Sequence, residues 1–564
     1  MDPRIAKSIQ VNKAIIRCET AKEVLALLAA TPGTLTKMAG GGSLNNVNFC
    51  TALHRISRYL SYNYKERASV LSDPRYALLL CATVESFVGM DFAEPLSALR
   101  RGIPSPESNN TIRFENREMS SLAWSLAKVR VLPPKSAMPF QGNTETAVKE
   151  MMGLCYELRS QVLEGGSNKA ARSLWIPTLS RLSARLFDAV EQRVAQSKNL
   201  GAFKSQELAN LIWAMSTSRR YDQQVFEDYA PKLLAVWKDD TVKPQEFSNV
   251  IWAYATSQIV GAQQQRLFEI IASVMEERPG FVQTFKSQEL SNTAWGLATL
   301  ISFKRGSRAE KEGGYDEEDD AEDAVVVRIL RKVVQELTVR PNEFKSQEIA
   351  NTVWALGTLG FGQGDKAWLG REYREFNFIQ TDDVEGDKEV VRLALEAVSD
   401  SAQGRLHRFR NQELNNLAWG YAKLGQRDHE LFREIATELS KHHRRINGQD
   451  IAATLWAFAS TEFFDEASFR KLTSRMNINH VHTFNPQELS NVCWAIATAG
   501  VEPSYPYAFD TINIRADKLP SMKEISRDPI TLFFAAGAQE IMKRPQQFIS
   551  QEVKDLLWGF SRVR

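Results

Sequence analysis

Three features of this chain predict an all-α fold, an α-solenoid built from helix-turn-helix repeats of about 38 residues. The first is a column of tryptophans. Nine of the twelve, Trp124, Trp213, Trp252, Trp295, Trp354, Trp419, Trp456, Trp494 and Trp558, sit in copies of one sentence, seen most plainly as "FKSQELANLIWAMST", "FKSQELSNTAWGLAT" and "FKSQEIANTVWALGT". The second is the spacing, 39 residues from Trp213 to Trp252 and 38 from Trp456 to Trp494, with no period-2 strand pattern. The third is a helix start in each copy. In "FNPQELSNVCWAIAT", Asn485 suits the N-cap, Pro486 the first helical position and Glu488 a capping box, with Phe484 and Leu489 as a hydrophobic staple.

Along the chain, residues 1–100 read as a helical N-terminal entry, 113–160 as the first repeat, and 161–200 as helical but outside the pattern, because Trp175 lacks the Gln-Glu start. Repeats follow over 201–302, 324–360 and 388–502, and an incomplete last repeat over 546–564. Runs such as "QQQRLFEIIASVMEE" and "DHELFREIATELSKHH" supply a second amphipathic helix per unit. Three insertions separate the repeats: an acidic stretch over 303–323, read as disordered, and two more over 361–387 and 503–545.

The 564 residues are 43% hydrophobic and 24% charged, with no apolar run long enough to span a bilayer. Cys18, Cys50, Cys81, Cys155 and Cys493 are scattered, which argues against a disulfide framework or a thiolate zinc site. The net charge of +2 conceals nine acidic residues between Glu310 and Asp323 beside one lysine, so the rest of the chain is moderately basic. No P-loop, GxGxxG, HExxH or GxSxG motif gives catalysis an address, and no enzyme activity, cofactor or metal site is expected. His442 and His443 in "KHHRR" and His480 and His482 in "HVH" lack a third ligand.

The columns of the repeat carry different expectations. The tryptophans are expected to be buried between layers, with base stacking as the weaker alternative. The small residues after them, Ala214, Ala253, Gly296, Ala355, Gly420, Ala457 and Ala495, let neighbouring helices approach. A cation stands at the N-cap in five consecutive copies, Lys204, Lys243, Lys286, Lys345 and Arg410, where the helix dipole disfavours it. Such a ladder beside unpaired N–H groups suits phosphates; solvated lysines copied with the repeat are the alternative. Two columns vary within a constant frame, as a reader of one base per repeat requires. One holds Ser205, Pro244, Ser287, Ser346 and Asn411, and the other Ala209, Ser248, Ser291, Ala350 and Asn415. With Gln206, Gln245, Gln288, Gln347 and Gln412 these are the base-contact candidates. The recurring Asn210, Asn249, Asn292, Asn351, Asn416 and Asn491 fit an inter-repeat amide ladder.

The pattern "FxxQELxNxxWAxAT", with "VNKAIIRCETAKEVLALLA" and "NNVNFCTALHRISRY" before it, resembles the octotricopeptide repeat of organellar proteins, related to the repeat region of the Fas-activated kinase-like family. The resemblance implies an organellar RNA-binding protein, in mitochondrion or chloroplast, whose partner is single-stranded RNA and which acts in RNA stability, processing or translation. A structural part of an organellar ribosome and a protein–protein scaffold are the other classes. Many relatives end in a RAP domain, whereas this sequence stops at "DLLWGFSRVR" inside a repeat and shows no clear leader, so a chain lacking that domain is expected.

Overall fold

The computed structural model describes residues 3–31, 44–88, 114–129, 132, 144–165, 172–195, 203–221, 223–237, 242–309, 317–363, 379, 381–441, 446–475, 478–502 and 528–562. All regular structure among them is helical, as the sequence predicts, and the helices stack in chain order as an α-solenoid. Two compact units divide at Leu267/Phe268.

The first unit opens with α1 (Pro3–Arg17), α2 (Ala21–Ala30), α3 (Asn46–Tyr62), α4 (Tyr64–Leu71) and α5 (Pro74–Val88). It continues with α6 (Asn116–Val129), α7 (Thr144–Gly165), α8 (Arg172–Ala195), α9 (Ser205–Ser218), α10 (Gln223–Val236) and α11 (Pro244–Ser257). The tryptophan-bearing helices form an inner row, α6 on α9 and α9 on α11, while α5, α7 and α8 pack as an outer row. The division at Leu267/Phe268 falls within the next helix, α12 (Ala262–Glu277).

In the second unit the inner row comprises α13 (Ser287–Ala309), α15 (Ser346–Leu359), α17 (Asn411–Lys423), α19 (Gly448–Ser460), α21 (Pro486–Thr498) and α23 (Ser550–Arg562), each packed on the next. Its outer row comprises α14 (Glu317–Val339), α16 (Val384–Ala402), α18 (His429–Leu439), α20 (Glu466–Ser474) and α22 (Pro529–Lys543). Short 3₁₀ turns lead into five of these inner helices, at Val282–Thr284, Pro341–Glu343, Leu406–Arg408, Ile478–Thr483 and Pro545–Gln547.

The capping logic holds at the acid column. Asn485 Oδ1 accepts from the Glu488 N–H (2.8 Å) and Glu488 Oε2 from the Asn485 N–H (3.0 Å). Where the N-cap is cationic, only the second half of the box remains: Glu207, Glu289, Glu348 and Glu413 accept from the backbone N–H of Lys204, Lys286, Lys345 and Arg410 at 2.8–2.9 Å. The carboxylate thereby satisfies one orphan donor and places negative charge at the positive end of the helix.

Layers are joined by small side chains. Ser120 Oγ donates to the Glu207 carbonyl and Ser291 Oγ to the Glu348 carbonyl, both at 3.0 Å, from the same column of successive inner helices. A second recurrent contact is an arginine four residues before the phenylalanine. Arg340 donates to the Phe285 carbonyl (2.7 Å), Arg405 to Phe344 (2.8 Å) and Arg544 to Phe484 (2.5 Å), each reaching back one repeat. The small column after tryptophan works by close approach: a Cβ on Gly420 would lie 2.7 Å from the Val353 carbonyl oxygen.

Three expectations are corrected. Residues 303–309 and 317–323 of the acidic stretch are helical, not disordered, because Lys304 pairs with Glu322 (2.6 Å) and buried Arg305 with buried Asp323; residues 310–316 lie outside the described set. The third insertion contains α22, capped by Asp528 accepting from the Thr531 N–H (3.0 Å), so it holds an outer helix of the array. Its residues 503–527, and residues 364–378 of the second insertion, lie outside the described set. The N-terminal entry also contains a degenerate repeat, α3. Asn45 and Asn48 form its capping box, Cys50 Sγ reaches the Glu118 carbonyl as Ser120 reaches that of Glu207, and His54 occupies the tryptophan position.

Candidate functional site

Each regular inner helix is enclosed on most of its circumference and open along one stripe. In α9, Leu208, Ala209, Leu211, Ile212, Ala214 and Met215 are buried, while Gln206 is exposed and Asn210, Trp213 and Thr217 are half-buried. These four are spaced by four, three and four, one line along a 3.6-residue helix. The same stripe recurs as Gln245, Asn249, Trp252 and Thr256 in α11, and as Gln288, Asn292, Trp295 and Thr299 in α13.

The expectation of buried tryptophans is thereby overturned. All nine repeat tryptophans are half-buried or more exposed, Trp558 at 37%, and the two fully enclosed indoles among the described residues, Trp175 and Trp237, lie outside the repeat column. The apolar residues on either side fill the space between layers, leaving the indoles beside one another on the open face. Ring centroids are 4.8 Å apart for His54 and Trp124, 6.0 Å for Trp124 and Trp213, and 5.8 Å for Trp213 and Trp252. Lys128 Nζ sits 5.6 Å from Trp124 and 4.9 Å from Trp213, and Lys423 Nζ 5.4 Å from Trp419 and 5.2 Å from Trp456. At the head of this row, burial holds the His54 imidazole below the ordinary histidine range, with Arg58, Arg55 and Arg117 acting in the same direction. Beside the indoles, Asn249 Nδ2 donates to Asn210 Oδ1 (3.3 Å), one rung of the expected amide ladder.

The cation column is exposed: the side chains of Lys286, Lys345 and Arg410 are 80%, 75% and 79% accessible, and Lys204 and Lys243 are exposed as well. Each of the first three stands 3.9–4.0 Å from the glutamate three residues on. The carboxylate offsets the cost of a cation at the helix start, which gives the lysine a structural reason as well as an accessible charge. Gln206, Gln245, Gln288, Gln347 and Gln412 are also exposed.

The two variable columns point elsewhere. Ala209, Ser248, Ser291, Ala350 and Asn415 are buried at the contact between layers, where small residues are required, and present no edge to a ligand. Ser205 is buried and donates to Glu246 of the next inner helix; Ser287 is half-buried and donates to the Glu343 carbonyl (3.1 Å). Pro244, Ser346 and Asn411 are half-buried at the helix start. The base-contact expectation therefore passes from these columns to the open stripe. Its signal was present in the sequence as the line through Gln206, Asn210, Trp213 and Thr217. His442 and His443 lie outside the described residues, as does the side chain of His480. No helix among the described residues is long and apolar enough to cross a membrane.

Fold and face together define a helical-repeat protein of the α-solenoid class whose inner helices present amides and indoles. A family model described as "Protein of unknown function (DUF1601)" matches residues 180–212 and 341–353. Both matched segments stop one residue before a repeat tryptophan, Trp213 and Trp354. A RAP domain-containing protein, chloroplastic, from Oryza sativa subsp. japonica is 24% identical over 213 residues, which is 38% of this chain. The match spans 28% of the length of that relative.

Proposed function

We propose that this protein binds single-stranded RNA along the Gln–Asn–Trp–Thr face of its inner helices. We assign it a non-enzymatic role in the stability, processing or translation of transcripts within a chloroplast or mitochondrion. The observation that carries the reading is the half-buried indole row flanked by amides. Stacking on aromatic rings suits bases of any identity, primary amides match base edges, and the exposed N-cap cations lie at one end of the same helices, where phosphates would run. The organelle is inferred from the repeat's resemblance to octotricopeptide proteins and from similarity to a relative whose name includes "chloroplastic".

The test is equilibrium binding of a random single-stranded RNA pool against double-stranded RNA at several salt concentrations. Trp213→Leu and Trp354→Leu are each expected to weaken single-strand binding by roughly 5- to 150-fold, in keeping with about 1–3 kcal/mol per stacked base. Neutralising Lys204, Lys243, Lys286, Lys345 and Arg410 together is expected to reduce the salt slope by about 3 to 4, at ~0.7 per phosphate contact. Equal binding to duplex, or leucine variants that bind as wild type, would remove the reading. Crosslinking in cells then separates a regulator of one transcript from a component of an organellar ribosome or a protein scaffold.

A further inference from the structure

Building on the RNA-binding reading, we propose that the residue four positions after each repeat tryptophan is the one that discriminates between bases. It lies at the C-terminal end of the open stripe. A reader built from repeats needs a constant frame and one position that changes beside it, and on this face the glutamine, asparagine and tryptophan columns are the frame. The changing position is a threonine in Thr217, Thr256, Thr299, Thr358 and Thr498, a serine in Ser460 and a cation in Lys128, Lys423 and Arg562.

The threonine hydroxyls carry the second observation. Elsewhere on these helices a threonine hydroxyl donates to the carbonyl four residues back, as in Thr293 to Glu289 (2.9 Å), Thr352 to Glu348 (2.8 Å) and Thr454 to Asp450 (2.7 Å). At this column all five Oγ1 atoms are shielded from solvent and have no hydrogen-bond partner among the described residues, and Thr358 as a whole is 7% exposed. A shielded hydroxyl without a partner is unfavourable, and its recurrence at one address in five repeats points to a partner supplied from outside.

The cations at the same address lie over indoles, Arg562 at 5.7 Å from the Trp558 centroid and the two lysines each within reach of two rings. The two chemistries discriminate differently. A hydroxyl donates and accepts, so it suits several base edges, whereas an ammonium or guanidinium only donates and favours paired acceptors such as guanine O6 and N7.

The experiment is selection of a preferred motif from a random single-stranded RNA pool by the full chain, using wild type, Thr256→Lys, Thr299→Lys and Thr256→Ser, each checked for helicity by circular dichroism. Lys128 shows that a lysine fits this column between two indoles. Thr256→Lys is expected to enrich guanine roughly tenfold at one motif position, and Thr299→Lys at a different one, with the remaining positions unchanged. Thr256→Ser, which keeps the hydroxyl, is expected to select the wild-type motif. Folded lysine variants that select the wild-type motif overturn the proposal, as does a gain in affinity uniform across sequences, which would mark a phosphate contact. Wild-type binding without sequence preference overturns this proposal and leaves RNA binding intact; absence of single-strand binding removes both.

Discussion

Glu348 shows how much of one repeat rests on a single side chain. It accepts from the Lys345 N–H (2.9 Å), faces the lysine ammonium at 4.0 Å, and its carbonyl receives Ser291 from the preceding inner helix (3.0 Å). Glu348→Ala removes the first two and keeps the third, so a loss of about 0.5–2 kcal/mol in urea unfolding is expected, the range for a helix cap. A change near zero would show that water replaces the carboxylate. In the first unit Glu246 behaves differently. Burial raises its carboxyl above the ordinary range, and the Ser205 hydrogen bond opposes that shift. The folded chain therefore holds this proton to higher pH than the unfolded chain does, so the group's penalty is greatest at neutral pH and is relieved as pH falls through the folded value. Glu246→Gln is expected to be at least as stable as wild type at pH 7, with the difference narrowing on acidification. A difference that widens would contradict burial as the dominant cause. At this scale the acid column was legible because a capping box has a fixed offset in sequence. The partners of Ser205 and Ser291 were not, because they lie one repeat away and small residues serve buried contacts and ligand contacts alike.

Among elements, the approach of α15 and α17 is set at Gly420. An alanine at Gly420 is favoured by helix propensity by about 1 kcal/mol, yet its methyl would fall 2.7 Å from the Val353 carbonyl oxygen. Overpacking of this kind costs about 1–3 kcal/mol, so Gly420→Ala is expected to be net destabilising. A raised unfolding midpoint would mean that the two helices separate freely. Arg405 tests the backward clamp: Arg405→Gln loses the hydrogen bond to the Phe344 carbonyl (2.8 Å) and should cost about 1–3 kcal/mol. Helix starts, the paired inner and outer helices and the approach at Gly420 could be read from the repeat. The tryptophan column was misread because an aromatic residue among alanines suits a core as well as an exposed row; the line through Gln206, Asn210, Trp213 and Thr217 decides between them. The acidic stretch was misread because composition hides pairing: Lys304 and Arg305 supply the charges that Glu322 and Asp323 need. The copy in α3 escaped notice because His54 stands where the other copies carry tryptophan.

At the scale of the molecule, stability is distributed over neighbouring layers, and each of the two compact units has its own packed interior. Urea unfolding followed by circular dichroism is expected to be broader than one two-state transition, with Gly420→Ala shifting a different part of the curve from Glu246→Gln. One sharp transition displaced equally by both would show the chain unfolding as a single cooperative body. The fold class followed from the tryptophan column, its period and the helix start in each copy, whereas the open face depended on knowing which side of each helix its neighbours cover. The division of the indoles into an open row and an enclosed pair has an optical consequence. Trp175 and Trp237, shielded from water, should emit at shorter wavelength and resist acrylamide, while the repeat tryptophans of each unit emit further to the red and are reached by the quencher. Close spacing within that row, 5.8 Å between Trp213 and Trp252, should also depolarise its emission by energy migration from ring to ring. Any molecule lying along the stripe would dim the red component and spare the blue, so the protein carries an intrinsic, unlabelled reporter of whatever occupies its face.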